Sequence, residues 1–242
     1  MDSRIVIIPT YNEKENIEKI IRYVFNLPDA FHMLIIDDGS PDGTADIVKR
    51  LMNEFEGRLF LEERSGKLGL GTAYIHGFKW CIAHGYDFIF EMDADFSHNP
   101  DDLIRLYNAA VENNADAVVG SRYCNGVNVV NWPMSRILMS YFGSAYVRFI
   151  LRTPVRDTTA GFICYRRTLL EKLNFDRIRH TGYGFQIEMK YIIWKLGFKI
   201  MEIPIIFVDR QEGTSKMSSG IFKEAIWGVI KLRFRRVKKY LK

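Results

Sequence analysis

The strongest constraint in this chain is a repeated alternation of a short apolar run, a polar turn, and apolar residues at helical spacing. Ile5 to Ile8 is such a run, closed by Pro9 and followed by Ile17, Ile20, Ile21, Val24 and Leu27. Met33 to Ile36 repeats the pattern, with a turn around Gly39-Ser40-Pro41-Asp42-Gly43 and a helix carrying Ile47, Val48, Leu51 and Phe55. Leu59 to Leu61, Phe88 to Met92 and Ala117 to Val119 read as further buried strands, with helices near Gly71 to His84 and Pro100 to Asn113 between them. Apolar runs without polar alternation, each followed by a helix, require an α/β fold whose mostly parallel sheet is covered on both faces.

After Ser121 the rhythm changes. An amphipathic helix is expected from Pro133 to Leu151, then a strand at Phe162 to Tyr165, a helix at Phe185 to Leu196 and a strand from Lys199 to Phe207. No internal repeat or Ser/Gly/Pro linker interrupts the chain, so one domain over residues 1–219 and a C-terminal appendage over 220–242 are expected. The 48% hydrophobic content excludes a disordered chain. The net charge of +5 is unevenly placed: residues 231–242 hold seven Lys or Arg and no acid, so the 230 residues before them sum to −2. Cys81, Cys124 and Cys164 lack paired spacing, which points to a reduced, cytoplasmic setting. No signal peptide is expected at the N-terminus, and Met134 to Leu151 is too charged to span a bilayer.

In an open parallel sheet, ligands collect beyond the carboxyl ends of the strands. Four polar clusters fall there: Pro9-Thr10-Tyr11-Asn12-Glu13, Asp37-Asp38-Gly39-Ser40, Asp93-Ala94-Asp95 and Gly120-Ser121-Arg122-Tyr123. Asn12 and Asp42 also suit helix caps. Asp93 and Asp95 flank one small residue, so in extended chain both carboxylates project to one side. Paired carboxylates suit Mg2+ or Mn2+, shared with the oxygens of a diphosphate. Neither a P-loop nor a Gly-x-Gly-x-x-Gly turn is present, against a P-loop NTPase or a dinucleotide dehydrogenase. Gly69-Leu70-Gly71 reads as a tight turn whose following helix could face an anion with free amides. Arg210 to Lys216 reads either as a phosphate clamp or as a plain solvated loop, with Arg122, Arg136 and Arg156 as further cations.

Pro9 to Glu13, Ile36 to Thr44, Lys67 to Tyr74, Met92 to His98, Gly120 to Tyr123 and Val208 to Arg210 with Ser215-Lys216 together resemble the dolichol-phosphate (polyprenyl-phosphate) mannose synthases. Those enzymes are inverting glycosyltransferases of family 2 with the GT-A fold, a Rossmann-like, mostly parallel sheet flanked by helices. The resemblance implies that Pro9, Tyr11, Glu13, Ile36 and Asp38 line the guanine and ribose end of GDP-mannose. It places Asp93, Ala94 and Asp95 at ribose, diphosphate and metal, with Asp95 the chief metal ligand and Asp93 a second candidate. Arg122, Arg210 and Lys216 would neutralise the donor diphosphate or the acceptor phosphate, and Arg122, Arg136, Asp157 and Thr158 are the acceptor-side candidates. Some members carry Gln where this chain has Ser97.

An acceptor with a hydrocarbon tail sits in a bilayer. Phe222, Ile226, Val229, Ile230, Phe234, Val237 and Leu241 fall on one face of a helix beside the Lys/Arg cluster, an expected basic amphipathic helix for an anionic membrane surface, with packing of that stripe on the protein's own core as the alternative. Nucleic-acid binding would not need that stripe. Peripheral association with the cytoplasmic face, aided or not by a separate membrane-spanning partner, is the expectation. Two alternatives stay open: a UDP-glucose-dependent polyprenyl-phosphate glucosyltransferase, and a noncatalytic sugar-nucleotide-binding subunit that recruits to membranes.

Overall fold

The apolar runs become neighbouring strands of one seven-stranded sheet in the computed structural model, which describes residues 2–182, 184–209 and 227–242. The strands are β1 (Arg4–Thr10), β2 (His32–Asp37), β3 (Leu59–Glu63), β4 (Phe88–Glu91), β5 (Ala117–Ser121), β6 (Val129–Val130), β7 (Ile163–Arg166), β8 (Ile200–Pro204) and β9 (Phe207–Val208). The sheet order is β3-β2-β1-β4-β7-β5-β8, and β6 pairs with β9 in a separate two-stranded sheet. Among the described residues, only β7 runs antiparallel to its neighbours in the large sheet.

Among the described residues seven α-helices precede the C-terminal segment: α1 (Ile17–Phe25), α2 (Thr44–Glu54), α3 (Leu70–Ala83), α4 (Asp102–Glu112), α5 (Met134–Leu151), α6 (Arg167–Lys172) and α7 (Gly184–Lys195). The pleat sorts each strand into two cores. Val6, Ile8, Ile35, Phe90 and Val118 face α1, α2 and α4, whereas Ile5, Ile7, Ile36, Ile89 and Val119 face α3 and α7. At Gly77 of α3 an added Cβ would stand 2.9 Å from Ile7, so the glycine lets that helix lie directly on β1.

Three expectations need correction. Pro9 does not end its strand: β1 continues through Thr10. The Thr10 carbonyl faces β2, accepting from the Asp38 N–H, and the Ile7 carbonyl faces β4, accepting from the Met92 N–H. Pro9 shares the side of Ile7, and β4 has ended at Glu91 by that level, so the missing N–H of proline breaks no ladder bond. The strand expected from Lys199 to Phe207 is two strands, because after Pro204 the chain leaves the large sheet to pair with β6.

The C-terminal segment is not one continuous helix. Residues 227–233 are helical, the helix stops before residue 236, and Val237–Tyr240 forms a 3-10 turn. Burial explains the break. Val229 and Leu232 pack with Val147, Leu151 and Tyr191, while Tyr240 enters the α3/α7 core and Leu241 bridges to Leu173. Of the expected membrane-facing stripe, Val229 is buried and Val237 packs part-buried on the interior, whereas Phe234 and Leu241 stay exposed. Phe222 and Ile226 lie outside the described residues.

Candidate active site

β1 is the point where the sheet order turns back on itself, with β2 on one side and β4 on the other, and the crevice beyond its carboxyl end is the place such a fold offers a ligand. The first two polar loops are stitched to each other there. Asp37 is buried and accepts from the Thr10 hydroxyl (2.9 Å), the Ser40 N–H (2.8 Å) and the Ser40 hydroxyl (2.6 Å). Backbone N–H groups of Asn12, Glu13 and Lys14 donate to Ser40 Oγ, Thr44 Oγ1 and Asp42 Oδ2. Asp42 also accepts from the Thr44 N–H at the first residue of α2, but the N-cap position itself is Gly43, and Asn12 takes a left-handed φ of 59° away from any helix start.

Asp38 is fixed by a residue that sequence reasoning missed. Arg64 follows β3, donates from Nε to Asp38 Oδ1 (2.6 Å) and from Nη1 to Thr72 Oγ1 (2.8 Å), and is nearly buried. The signal was available, since Arg64 is the polar residue at the carboxyl end of a fifth strand on this same edge. Tyr11 has the Lys67 ammonium 5.1 Å from its ring centroid, and Tyr11, Glu13 and Pro9 are all part-exposed along the crevice. Ile36 is not: its side chain is fully buried in the core, so only its backbone is near the ligand edge. The Gly69-Leu70-Gly71 amides do not form an open anion nest. Gly71 N–H donates to the Thr181 carbonyl (2.7 Å), and the Thr72 and Ala73 N–H groups donate to Gly69.

Beyond β4 the burial alternates as the extended-chain argument requires, with Met92 and Ala94 buried and Asp93 and Asp95 part-exposed. The Ser97 N–H donates to Asp95 Oδ1 (3.0 Å) and orients that carboxylate. Among the described residues no group of three or more His, Cys, Asp or Glu could hold a metal alone. Two carboxylates at a polar edge fit a hard cation that completes its shell with ligand phosphate and water.

Asp93, His98 and Arg122 line a cavity of about 760 Å3 together with Leu138, Met139, Phe142 and Val147 of α5. Arg122 is held, not free. It makes a two-pronged contact with Asp157 (Nε to Oδ2 2.7 Å, Nη2 to Oδ1 2.6 Å) and donates to Thr159 Oγ1 (2.8 Å). Tyr123, Trp132 and Phe207 surround its guanidinium at 5.2 to 5.5 Å from their ring centroids. Burial would raise the Asp157 carboxyl, but the Arg122 charge and its hydrogen bonds hold it below the ordinary carboxylate range.

Asp157 and Thr158, expected on the acceptor side, are both buried beneath the cavity, and Thr159, Ala160 and Gly161 form the wall instead. Lys190, another residue the sequence did not reveal, carries that wall. Its buried ammonium donates to the carbonyls of Ala160 (2.6 Å) and Thr158 (3.3 Å). Arg136 pairs with Asp209 (2.8 Å) and stacks over Trp132, its guanidinium 4.1 Å from the ring centroid. Buried His98 stacks on Phe162, and burial pushes its imidazole down to about 4, so it is neutral at pH 7. Arg210 and Lys216 lie outside the described residues.

A switch-point crevice with paired carboxylates, opening into a cavity under an arginine, is what a sugar-nucleotide transferase of α/β architecture presents. The sequence profile described as glycosyl transferase family 2 matches residues 5–174, and the chain belongs to that family. It is a glycosyltransferase. The chain is 43% identical over 230 residues to the polyprenol monophosphomannose synthase of Mycolicibacterium smegmatis, covering 93% of this chain and 86% of that one. It is likewise 43% identical to the undecaprenyl-phosphate mannosyltransferase of Micrococcus luteus, covering 93% of each. Among solved structures, glucosyl-3-phosphoglycerate synthase of Mycobacterium tuberculosis, in complex with Mn2+, UDP and its product, matches with a TM-score of 0.65 at 18% identity. That match covers 96% of this chain and 78% of the other. The mannosyltransferase PcManGT of Pyrobaculum calidifontis, in complex with GDP-Man and Mn2+, matches with a TM-score of 0.57 at 19% identity over 97% of this chain and 71% of the other. At such identities the two structures establish the GT-A-like fold alone.

Proposed function

We propose that this glycosyltransferase moves mannose from GDP-mannose to the phosphate of a polyprenyl (dolichyl) phosphate with inversion, giving a β-linked polyprenyl phosphate mannose and GDP. The observation that carries the reading is the cavity itself: Asp93 and Arg122 line it together with apolar side chains of α5, which suits an acceptor with an anionic head and a hydrocarbon tail. The names of the two 43% identical relatives support it.

The stitched loops after β1 and β2 hold Tyr11, Glu13 and Asp38 for the nucleoside, and rigid backbone there keeps the ordering cost of binding low. Asp95, with Asp93, would hold Mg2+ or Mn2+ against the donor diphosphate, and the ion when bound supplies charge stabilisation to the leaving group. A phosphate monoester has a second pKa near 6, so the acceptor is mostly dianionic at neutral pH and attacks without a protein base. Neutral His98 therefore has no proton to accept from it. Arg122, oriented by Asp157, presents positive charge to the approaching phosphate, with Arg210 and Lys216 as the further cations on the donor side. In-line attack on the α-linked donor gives the β product.

Membrane access follows from the exposed face of α5 and from the basic segment 220–242. Met134, Leu138, Tyr141, Phe142 and Phe149 are exposed along α5, with Phe142 at 62% and Phe149 at 81%. Among the described residues no helix is long and apolar enough to cross a membrane. A peripheral position on the cytoplasmic face fits those surfaces and the three free cysteines.

The test is incubation with radiolabelled mannose as GDP-mannose, a divalent metal and a polyprenyl phosphate, followed by lipid extraction and anomer analysis. A β-linked lipid mannose is the expected product. Transfer from UDP-glucose in preference to GDP-mannose would overturn the donor, and nucleotide binding without any transfer would favour the recruitment role.

A further inference from the structure

A second cavity, of about 210 Å3, is lined by Arg177, Arg179, Arg235, Arg236, Lys239 and Tyr240. Five of these six carry positive charge, and they come from two parts of the chain. Arg177 and Arg179 precede α7 in the body, whereas the others belong to the C-terminal segment. Like charges converge at a cost unless something holds them together.

What holds them is Glu188, a fully buried carboxylate on α7. It accepts from Arg235 Nη1 (2.7 Å), the Tyr240 hydroxyl (2.8 Å), the backbone N–H groups of Arg179 (3.1 Å) and His180 (3.0 Å), and His180 Nδ1 (2.6 Å). Burial would raise this carboxyl, yet the His180 and Tyr240 hydrogen bonds hold it below its ordinary value. The buried anion thus clamps the C-terminal segment and the 179–180 backbone to one point and fixes Arg235 in place. Among the described residues, none of the other four cations has a carboxylate within ion-pair distance. The result is a concave, preorganised site with a surplus of positive charge.

We propose that this cavity binds the phosphate of an anionic lipid headgroup, so that the chain docks on a bilayer through a saturable site built jointly by body and tail. Guanidinium groups match phosphate with forked, charge-assisted hydrogen bonds, and four of the five cations are arginines. A volume of about 210 Å3 has room for one phosphate group. The exposed aromatics of the C-terminal segment also favour a lipid source. Phe234, 83% exposed, stands beside Arg233 and Arg235, and Trp227 is 65% exposed. Bare aromatics among cations suit the boundary between headgroups and acyl chains. None of these residues is assigned to donor or acceptor, so the site stands or falls separately from the transfer reaction.

The decisive experiment compares two full-length double variants of equal charge: Arg177→Gln with Arg179→Gln, against Lys238→Gln with Lys242→Gln. Each is sedimented with phosphatidylcholine vesicles containing or lacking phosphatidylglycerol, and circular dichroism with nucleotide binding checks the fold. Diffuse attraction contributes about 1 kcal/mol per cation wherever it sits, so it predicts equal losses. The headgroup site predicts that the Arg177/Arg179 pair loses at least about tenfold more affinity for the anionic vesicles, because charge-assisted bonds are lost as well. A third variant, Arg177→Lys with Arg179→Lys, keeps the charge and is expected to recover only part of the loss. Equal losses in the two Gln pairs would overturn the proposal. So would protection by glycerol phosphate without vesicle binding, which identifies a soluble ligand, or tighter binding of a single-stranded oligonucleotide than of vesicles.

Discussion

The loops after β1 and β2 and the cavity under α5 solve opposite problems. At the first, nearly every polar group is committed: Asp37, Asp42, Ser40 and Thr44 stitch two loops together, and Arg64 locks Asp38. At the second, the walls are largely apolar side chains on a helix that buries little more than Ser144, Val147 and Leu151. A nucleoside is read by fixed donors and acceptors, and misplacing them is costly. A hydrocarbon tail needs only surface that is better off out of water, so an open, adaptable wall suffices. Arg122 and Asp157 stand where the two regimes meet.

That junction should be the most sensitive point. Asp157→Ala leaves the buried Arg122 guanidinium without its carboxylate, and the expected loss is about 3–5 kcal/mol of stability, measured by urea denaturation. A loss below about 1 kcal/mol would mean that the pair is solvated and the junction is not rigid. At the donor edge, Asp95→Ala should lower kcat by about 100-fold or more while thermal stability stays near wild type. Full activity at saturating metal would remove Asp95 from its assigned role.

A pH experiment separates the buried imidazole from the polar edge. The His98 pKa falls from 6.5 unfolded to about 4 folded, so between these values the unfolded chain binds the extra proton. Stability attributable to His98 is therefore lost as pH falls from about 6.5 to 4, by up to about 3 kcal/mol. Burial pushes Glu91 the other way, up to about 8, so its contribution declines as pH rises from 4.5 towards 8. His98→Phe, which preserves the stack on Phe162, should flatten the slope below pH 6.5 and leave the Glu91 effect intact. An unchanged slope would count against a neutral buried imidazole.

The smallest effect belongs to the adaptable wall. Phe142→Ser should weaken a long-chain polyprenyl phosphate by about 1 kcal/mol, roughly fivefold in KM, and leave a short-chain acceptor unaffected. Equal effects on both acceptors would move the tail to another surface.

Much of the site was legible because strand ends announce themselves: an apolar run stops, polar residues follow, and chain order places them on one edge. Asp93 and Asp95 follow the end of β4, and their part-exposure between buried Met92 and Ala94 matches the alternation an extended chain implies. Lys190 and Glu91 were hidden for the opposite reason. Lys190 sits within the apolar pattern of α7 and looks like a surface lysine until Thr158 and Ala160 are found above it. Glu91 ends the run of β4 and gives no sign that Gln186, ninety-five residues on, will meet it at 2.6 Å. The tail misled in its turn, because helical spacing in Val229, Val237 and Leu241 does not say what covers the stripe.

By itself the sequence determined the α/β layering, the carboxyl-edge position of the carboxylates and the separation of a near-neutral body from a basic end, because periodicity and local charge are properties of neighbouring residues. Only the tertiary structure decided which charges are spent. Arg122 on Asp157, Asp38 on Arg64 and Arg235 on Glu188 are pairs far apart in the chain. Long-range pairing depends on where the folded backbone brings each group and on whether burial leaves it another partner, and no local pattern records either.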